Sequence, residues 1–561
     1  MKKNIIMLVI LSFIYCASCD KFLEEHNEGA VSVEGGYYKT APGIQALVNS
    51  CYSPLRLWAG KGLANNISEL GTDITIACEG DNFGVYNSGL NSADNTLSSY
   101  FKWYYAAINY CNIAIANIPN IAEMSAIQKS KIEGEVRMLR AFYYWVLVET
   151  FGDIYYTDTP SSGVVNNPTK KSVAEIYVKI FDDLDFAIGS SLSENRTDNG
   201  HITKWAAKAF KARLLLTRAT ETNNQDLYSQ AYDLAKDVID NSGCILNSNY
   251  SNIWLMANND GQKNSEAVWY VDYDINSTYD GDLGPIEKNY ALIRNGGNNN
   301  HLLWIMVYDN QPGLTRSIEY GRPFCMMMPT RYCLNLFDEQ KDQRFAASFR
   351  QVWKRNTDVP TSYPLMTDTA IFCVKGVATS AQRSRADQRY KILDFNDIYF
   401  PEGAVNNAQQ FIALKKFEDP TRGSISEDKS SRDFYLIRIS EMYLIVAEAG
   451  AKTSKPDALT YMNTLRRTRA ILGHENEMEV TQSDINNIDF ILEEHAREFI
   501  GEQLRWFFLK RLGAAKFVSQ IKKGNPDAAN VQDYHILRPY PQSFLDAISN
   551  KEEFSQHIGY H

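Results

Sequence analysis

The sequence predicts an all-α fold in which helices support a large, irregular, loop-rich face. Apolar residues recur at helical spacing in segments spread along most of the 561 residues. Two long stretches, 59–96 and 244–432, lack this spacing and are rich in Asn, Gly, Asp, Ser and Tyr. Long irregular segments usually carry function or are disordered, and the aromatic residues in these two favour an ordered, functional face.

Segment 203–220 shows the helical pattern clearly. Trp205, Ala209, Ala212 and Leu216 follow one another at steps of four, three and four residues, which places them on one helix face. The same reasoning predicts helices at 42–58, 97–118, 125–151, 172–192, 203–220, 226–240, 433–452, 456–472 and 483–512. Because short polar connections join 203–220 to 226–240 and 433–452 to 456–472, each of these pairs is expected to pack as antiparallel neighbours.

The domain organisation follows from the absence of any low-complexity linker after the N-terminal segment. The sequence predicts one domain at 19–561, with an N-terminal part at about 19–240 and a C-terminal helical part at about 433–561. Between them lies a loop-rich insertion at about 244–432, in which 267–273 is predicted to form a brief strand.

Charge excludes one class of function. The chain has 57 basic and 67 acidic residues and a net charge of −10, so it lacks the basic surface that a nucleic-acid-binding protein needs to neutralise phosphates. It also has 33 Tyr, 26 Phe and 9 Trp, and Tyr outnumbers Gly. Rings of this kind can stack on a ligand and hydrogen bond to it.

The N-terminus predicts export. Two lysines precede an apolar run at 5–15, which is too short to span a bilayer and is typical of a signal peptide at 1–18. The following Cys16-Ala17-Ser18-Cys19 resembles a bacterial lipobox, with cleavage before Cys19 and lipid attached to that residue. Cys16 stands where lipoproteins usually have Leu, and an ordinary secretory signal with a chance cysteine is the alternative. Acyl chains on Cys19 would anchor the protein to a membrane.

Several sequence motifs, in order along the chain, are similar to those of one known family. They are CDKFLE at 19–24, WYYAAIN at 103–109, GEVRMLRAFYY at 134–144, RISEMYL at 438–444, REF at 497–499 and LRPYP at 537–541. Together they resemble the SusD/RagB family, the glycan-capturing outer-membrane lipoproteins of Bacteroidetes. The resemblance implies four tetratricopeptide-like helix pairs, a SusC-like TonB-dependent transporter as partner, and no catalysis. The helical units would face the transporter and the irregular face would hold the ligand.

Ligand contacts are expected from aromatic and polar side chains in the two irregular stretches. A sugar ring offers an apolar face to aromatic rings and an edge of hydroxyl groups to polar side chains, and unpaired buried polar groups make mismatched sugars costly. The candidates are Asp73, Asn82, Phe83, Tyr86, Tyr279, Tyr290, Trp304, Tyr308 and Tyr320. For any one of them, burial in the core is an equally good interpretation.

Catalytic and metal motifs are incomplete. HENEM at 474–478 lacks the second histidine of a zinc protease, and no G-x-S-x-G or Walker motif occurs. Asp272-x-Asp274-x-Asn276 begins like a calcium loop but has Ser277 and Leu283 where Gly and Glu are required, so no cofactor is expected beyond an incidental Ca²⁺.

Three functions remain open at this point. The first is a cell-surface glycan-binding lipoprotein that delivers its ligand to a transporter. The second is a peptide-binding protein of the same scaffold, which an acidic face would favour. The third, a secreted glycoside hydrolase, requires a pair of separated catalytic carboxylates.

Overall fold

The structure, a computed structural model, describes residues 36–196, 200–274 and 297–560. The predicted signal peptide, the predicted lipidation site Cys19 and the candidate ligand contacts Tyr279 and Tyr290 lie outside the described residues. The described chain is mainly helical with short strands, as the sequence predicts. Its helices are each too short or too polar to cross a membrane.

The N-terminal helices begin at polar caps. Helices α1–α8 are Ala41–Tyr52, Gly62–Ser68, Asn82–Val85, Asn95–Asn117, Ala126–Phe151, Val173–Gly189, Lys204–Thr222 and Gln225–Asn241. Ser125 and Ser172 form capping boxes at α5 and α6, in which each serine side chain accepts from a backbone N–H of the first turn. Gly152, with φ 75°, ends α5 after Phe151. Ser125, Ser172 and Gly152 therefore set these helix ends.

The rest of the chain has short helices first and longer ones near the C-terminus. Helices α9–α13 are Asn300–Leu303, Arg331–Asn335, Gln343–Ser348, Ser380–Ala386 and Phe395–Ile398. Helices α14–α20 are Ile439–Lys452, Ala458–Thr468, Gln482–Asn486, Ile488–Phe499, Arg505–Lys510, Ala514–Gly524 and Gln542–Ala547. Helix α7 packs on α8, α8 on α14, and α14 on α15, so both predicted helix pairs are confirmed. The count of four tetratricopeptide-like units stays a prediction.

Two predicted helices are wrong in part. Segment 433–452 begins with a strand at Phe434–Arg438, because this stretch pairs antiparallel with Ala267–Val271. Segment 483–512 is interrupted at Asn487, which has an extended backbone between α16 and α17. It is interrupted again after Phe499, where Gly501 adopts a left-handed φ of 80° that a helix cannot contain.

The strands are short and scattered through the loop-rich parts. Strands β1–β11 are Thr75–Ala77, Ile154–Tyr155, Lys170–Lys171, Ala267–Val271, Met327–Pro329, Phe349–Arg350, Val352–Lys354, Thr369–Cys373, Lys391–Leu393, Ala413–Leu414 and Phe434–Arg438. They form small sheets, β1 with β5, β2 with β3, β4 with β11, β6 with β10, and β7–β8–β9. The first of these joins the stretch before α3 to the insertion, with Ile76 opposite Met328.

An aromatic core lies between the helices and the insertion. Trp145 of α5 lies 4.8 Å from Phe507 of α18 and 5.6 Å from Phe210 of α7, measured between ring centroids. Phe142 is 5.3 Å from Trp269 of β4 in an edge-to-face contact, a favoured aromatic geometry. Many of the Tyr, Phe and Trp side chains counted in the sequence therefore pack in the core of the scaffold.

A buried ionic network ties the insertion to the C-terminal helices. Arg438 contacts Glu266, Glu498 and Glu502 at 2.7–2.9 Å, and Arg344 and Arg469 also contact Glu498. Burial alone would raise the pKa of Glu498, but the three arginines hold this pKa well below its usual range. The charged residues Glu494, Arg497 and Glu498 of α17 are therefore buried parts of the core.

Candidate functional site

Two open clefts adjoin each other at Asp272, which follows strand β4 and lines both of them. The first, here the Tyr52 cleft, has a volume of about 300 Å³. Its lining residues are Asn49, Tyr52, Ser53, Leu55, Arg56, Gly200, His201, Tyr270, Val271 and Asp272. The second, here the Asp433 cleft, has a volume of about 460 Å³. Its lining residues are Met256, Asn259, Asp260, Gln262, Asp272, Tyr273, Asp274, Thr421, Ser431 and Asp433.

The Tyr52 cleft is organised around a buried carboxylate. The Tyr52 hydroxyl at the end of α1 donates to Glu135 Oε2 at 2.7 Å and accepts from the backbone N–H of Ile202 at 3.0 Å. His201 Nδ1 lies 3.1 Å from the same oxygen, and the Tyr52 and His201 rings meet edge to face with centroids 5.8 Å apart. Glu135 on α5 therefore fixes the position of two ring side chains that line the cleft.

The opposite side of this cleft is formed by β4 and the residues that follow it. The backbone N–H of Gly200 donates to the Tyr270 hydroxyl at 3.1 Å, and burial raises the pKa of Tyr270 to about 12. The Arg56 guanidinium lies 5.4 Å from the centre of the Tyr273 ring, a cation–π distance. The cleft thus combines aromatic, amide and guanidinium groups.

The Asp433 cleft is acidic. Asp433 accepts from the backbone N–H of Tyr273 at 3.0 Å and from that of Gly261 at 2.6 Å, which holds the carboxyl group in place. Burial and the neighbouring Asp272 raise the pKa of Asp433 well above its usual range. Burial also raises the pKa of Asp272.

The two clefts can form hydrogen bonds with a polar ligand in several directions. Carboxyl, amide and hydroxyl groups of Asp260, Asp272, Asn259, Thr421 and Ser431 line the walls. Among the described lining residues the aromatic side chains are Tyr52, His201, Tyr270 and Tyr273. This combination suits a ligand with many hydroxyl groups and small apolar faces.

The predicted calcium loop is only partly described. Asp272 and Asp274 lie in the Asp433 cleft, whereas Asn276, Ser277 and Leu283 lie outside the described residues. Within the described ranges no three acidic, histidine or cysteine side chains are arranged to hold a metal ion. The incidental Ca²⁺ stays a prediction.

Asp73, a predicted ligand contact, has a structural role instead. It is completely buried, and its two oxygens accept from Arg505 Nε at 2.8 Å and Nη2 at 2.6 Å. Gln520 donates to the same carboxylate at 2.9 Å. These contacts join the stretch before β1 to the C-terminal helices, and they leave Asp73 out of reach of a ligand.

The aromatic candidates before α4 are also buried. Phe83 and Tyr86 are 1% and 3% exposed, and their ring centres lie 5.2 and 5.4 Å from the buried Arg538 guanidinium. Asn82 begins α3 and is half-buried. The rings stabilise a cation in the core, and their faces are not available to a sugar.

The described aromatic candidates of the insertion are buried, and Tyr308 and Tyr320 also contact each other edge to face. Trp304, Tyr308 and Tyr320 are each no more than 1% exposed. Tyr308 stacks on Trp353 at 4.8 Å and donates its hydroxyl to Gly321 O at 2.5 Å, while the Tyr320 hydroxyl donates to Lys354 O at 3.1 Å. The expectation that these three residues contact a ligand is therefore wrong, because all three side chains are buried and the Tyr308 and Tyr320 hydroxyl groups already donate to backbone carbonyls.

Sequence reasoning missed most of the cleft residues. Tyr52 and Arg56 lie at the end of a predicted helix and belong to no known sequence motif. Glu135 lies inside the predicted helix 125–151, which the sequence assigns to the scaffold. Asp272 was visible as the start of an incomplete calcium loop at the end of a predicted strand. This acidic start of a loop, at the end of the strand predicted at 267–273, was the signal in the sequence that indicated the region of the clefts.

Comparison with known families and structures places the fold. The model of the SusD family matches residues 247–560, which is more than half of the chain. The chain belongs to the SusD family. A second family model, described as starch-binding associating with outer membrane, matches residues 39–216.

Individual relatives are distant. A SusD-like protein of Bacteroides ovatus is 25% identical over 48% of this chain, a match that spans about half (50%) of that protein's length. The starch-binding protein SusD of Bacteroides thetaiotaomicron is 24% identical, with 82% of this chain and 78% of that protein covered. A solved structure described as a laminarin-binding SusD-like protein has a TM-score of 0.66 and 18% identity, with 93% of this chain and all (100%) of that one covered. The solved structure shows the same fold.

Proposed function

We propose that this SusD-family protein binds a glycan at the cell surface, with the Tyr52 and Asp433 clefts as its binding site. The observation that carries the proposal is the meeting of two open, hydrogen-bonding clefts at Asp272. The names of relatives that bind starch and laminarin support carbohydrate as the ligand class. Shallow, hydrated sites of this kind bind with affinities in the micromolar to millimolar range, roughly −4 to −8 kcal/mol.

We further propose that lipid on Cys19 anchors the protein to the outer membrane and that it passes its ligand to a SusC-like TonB-dependent transporter. The lipobox-like residues 16–19 support the anchor, and the family model associated with the outer membrane supports the compartment. Capture at the surface followed by transfer requires binding without turnover.

A glycan panel tests the proposal. Purified protein is titrated calorimetrically with neutral and charged polysaccharides, including starch and laminarin, and each mixture is then analysed for released sugars by chromatography. We expect saturable binding of at least one glycan and no product. Failure of every glycan to bind, or release of shorter sugars, would contradict the proposal.

The acidic cleft favours a peptide ligand as the second candidate. Asp260, Asp272, Asp274 and Asp433 line it, and the described lining residues include no basic side chain. A peptide rich in Lys and Arg would complement this charge, so the same titration with such a peptide separates the two functions. Binding of the peptide together with no binding of any glycan would decide for the peptide.

A further inference from the structure

The backbone just before α7 is held by side chains from two other elements. The backbone N–H of Gly200 donates to the Tyr270 hydroxyl of β4 at 3.1 Å, and that of Ile202 donates to the Tyr52 hydroxyl of α1 at 3.0 Å. A Cβ on Gly200 would lie only 3.2 Å from the Asp272 Cβ, so glycine lets this backbone pass close to the residue that lines both clefts. The residue between the two hydrogen bonds therefore has a defined place in the wall of the Tyr52 cleft.

That residue is His201, whose ring lines the cleft. Its Nδ1 atom lies 3.1 Å from Glu135 Oε2, the oxygen that also accepts from the Tyr52 hydroxyl at 2.7 Å. The Glu135 side chain is 2% exposed, whereas the His201 side chain is 40% exposed. The carboxylate is thus out of reach of a ligand, and the imidazole ring that it holds is open to one.

Tyr52 adds a second ring to this wall. The Tyr52 and His201 rings are nearly perpendicular, at 86°, and their centroids are 5.8 Å apart, so they form a corner, here the Tyr52–His201 corner. The Tyr52 hydroxyl is hydrogen bonded to both Glu135 and the backbone of Ile202, which fixes the ring in place. Rings that are fixed before a ligand arrives lose little conformational entropy on binding. The corner is therefore preorganised for a ligand.

We propose that the Tyr52–His201 corner is a subsite for one sugar ring of the glycan, and that Glu135 is a positioning residue that holds the corner. The proposal rests on the glycan-binding function proposed above. A sugar ring has an apolar face of C–H groups, which packs on an aromatic ring, and an edge of hydroxyl groups. Asn49 and Asp272 line the same cleft and supply polar groups for that edge.

The size of the cleft and the burial of the other candidates support this assignment. The predicted aromatic ligand contacts that the structure describes are buried, so ring contacts to a sugar have to come from other side chains. The Tyr52 cleft has a volume of about 300 Å³, at the lower end of the range for ligand sites. A short stretch of a glycan chain suits this volume.

Ring-current shifts test the subsite. When a sugar stacks on an aromatic ring, the C–H protons that face the ring resonate upfield of their positions in the free sugar. We expect such shifts in the proton NMR spectrum of a glycan bound to the wild-type protein. Tyr52→Leu and His201→Leu should each reduce these shifts and lower the affinity, measured by calorimetry, by about fivefold or more. Tyr110→Leu removes an exposed ring outside the clefts and should change neither.

Glu135→Leu and Glu135→Gln test the positioning role. Leu removes the acceptor of both contacts, whereas Gln keeps a carbonyl oxygen that can accept them. We expect the Leu variant to lose affinity and ring-current shifts as His201→Leu does, and the Gln variant to recover most of both. Tyr52→Phe, which keeps the ring and removes the hydroxyl held by Glu135, should also weaken binding. Thermal unfolding identifies the variants that are folded.

The outcomes separate this proposal from the function on which it rests. If no glycan binds the wild-type protein, the proposed function fails and the subsite fails with it. If a glycan binds the wild-type protein and folded Tyr52→Leu and His201→Leu equally well, the corner is not the subsite, while the proposed function stands. Wild-type affinity and unchanged ring-current shifts in folded Glu135→Leu or Tyr52→Phe would overturn the positioning role.

Discussion

At the scale of single residues, the structure buries several ionisable groups that the sequence presents as ordinary polar positions. Glu69, after α2, is completely buried, and its Oε1 accepts from the backbone N–H of Leu504 at 3.1 Å. Its Oε2 has no hydrogen-bond partner within the described part of the chain. Burial raises the pKa of Glu69 to about 7.

Glu69→Gln tests this pKa. The folded pKa lies above the unfolded value near 4.5, so the folded state holds the proton more tightly, and wild-type stability falls as pH rises from about 4.5 to 7. Gln removes this ionisation. The free energy of unfolding of the variant relative to wild type should therefore rise by about 2 kcal/mol between pH 5 and pH 8, from urea titrations. Glu79→Gln, at an exposed position, should show no such change; an equal change in both variants would refute the assignment.

The core arginines offer a second test at this scale. Arg438→Met leaves Glu498 and Glu502 with fewer cationic partners in a site that water cannot reach. Breaking a buried ion pair costs about 3–5 kcal/mol, whereas an exposed pair contributes about 0–1 kcal/mol. Thermal unfolding should show a much larger loss for Arg438→Met than for Arg467→Met, which breaks the exposed pair with Glu479. Equal losses would show that the network adds nothing beyond surface pairing.

At the scale of elements, helical periodicity predicted the long helices well, most clearly where a helix buries one apolar face, as α6 and α8 do. It failed at 433–452 because a strand and a helix follow each other there without a turn, and all five residues of β11 are buried, so no alternation marks the strand. It failed at 483–512 because the break at Gly501 depends on residues far away in sequence. A Cβ at this glycine would lie 2.8 Å from Leu414 and from Phe417, both in the insertion.

Gly501→Ala tests this reading of the break. The alanine must adopt a left-handed φ and also displace two packed side chains. Gly513→Ala is the matched control, since its φ of 84° imposes similar backbone strain with nothing within 4 Å of the new Cβ. We expect Gly501→Ala to lose about 1–2 kcal/mol more stability than Gly513→Ala in denaturant titrations. Equal losses of unfolding free energy in the two variants would show that the close packing at Gly501 does not contribute to stability.

At the scale of the whole molecule, the family and the helical scaffold could be predicted from motifs at both ends of the chain. The binding face could not. Trp304 and Tyr308 lie in an irregular segment, and only the tertiary structure shows that their rings pack inside it. The Tyr52 cleft is assembled from α1, the residues before α7 and β4, so no local pattern brings its residues together.

Membrane attachment of the whole protein can be tested by substituting a single residue. Cys19→Ser removes the thiol that would carry the lipid, and with it the acyl chains that hold the protein at the membrane. After cell fractionation, the wild-type protein should sediment with the outer membrane and the variant should be recovered in soluble fractions. A variant that still sediments with the membrane would contradict the lipid anchor; Cys373→Ser controls for loss of a thiol as such.

The central claim is that a glycan binds where the two clefts meet. Asp272→Ala removes the side chain that lines both, whereas Glu402→Ala removes a carboxylate from an exposed turn outside them. Calorimetric titration with a glycan that binds the wild-type protein measures both affinities, with thermal unfolding confirming that both variants are folded. The account predicts a loss of at least about tenfold, or 1.4 kcal/mol, for Asp272→Ala and an unchanged affinity for Glu402→Ala. Wild-type affinity in a folded Asp272→Ala variant would contradict it.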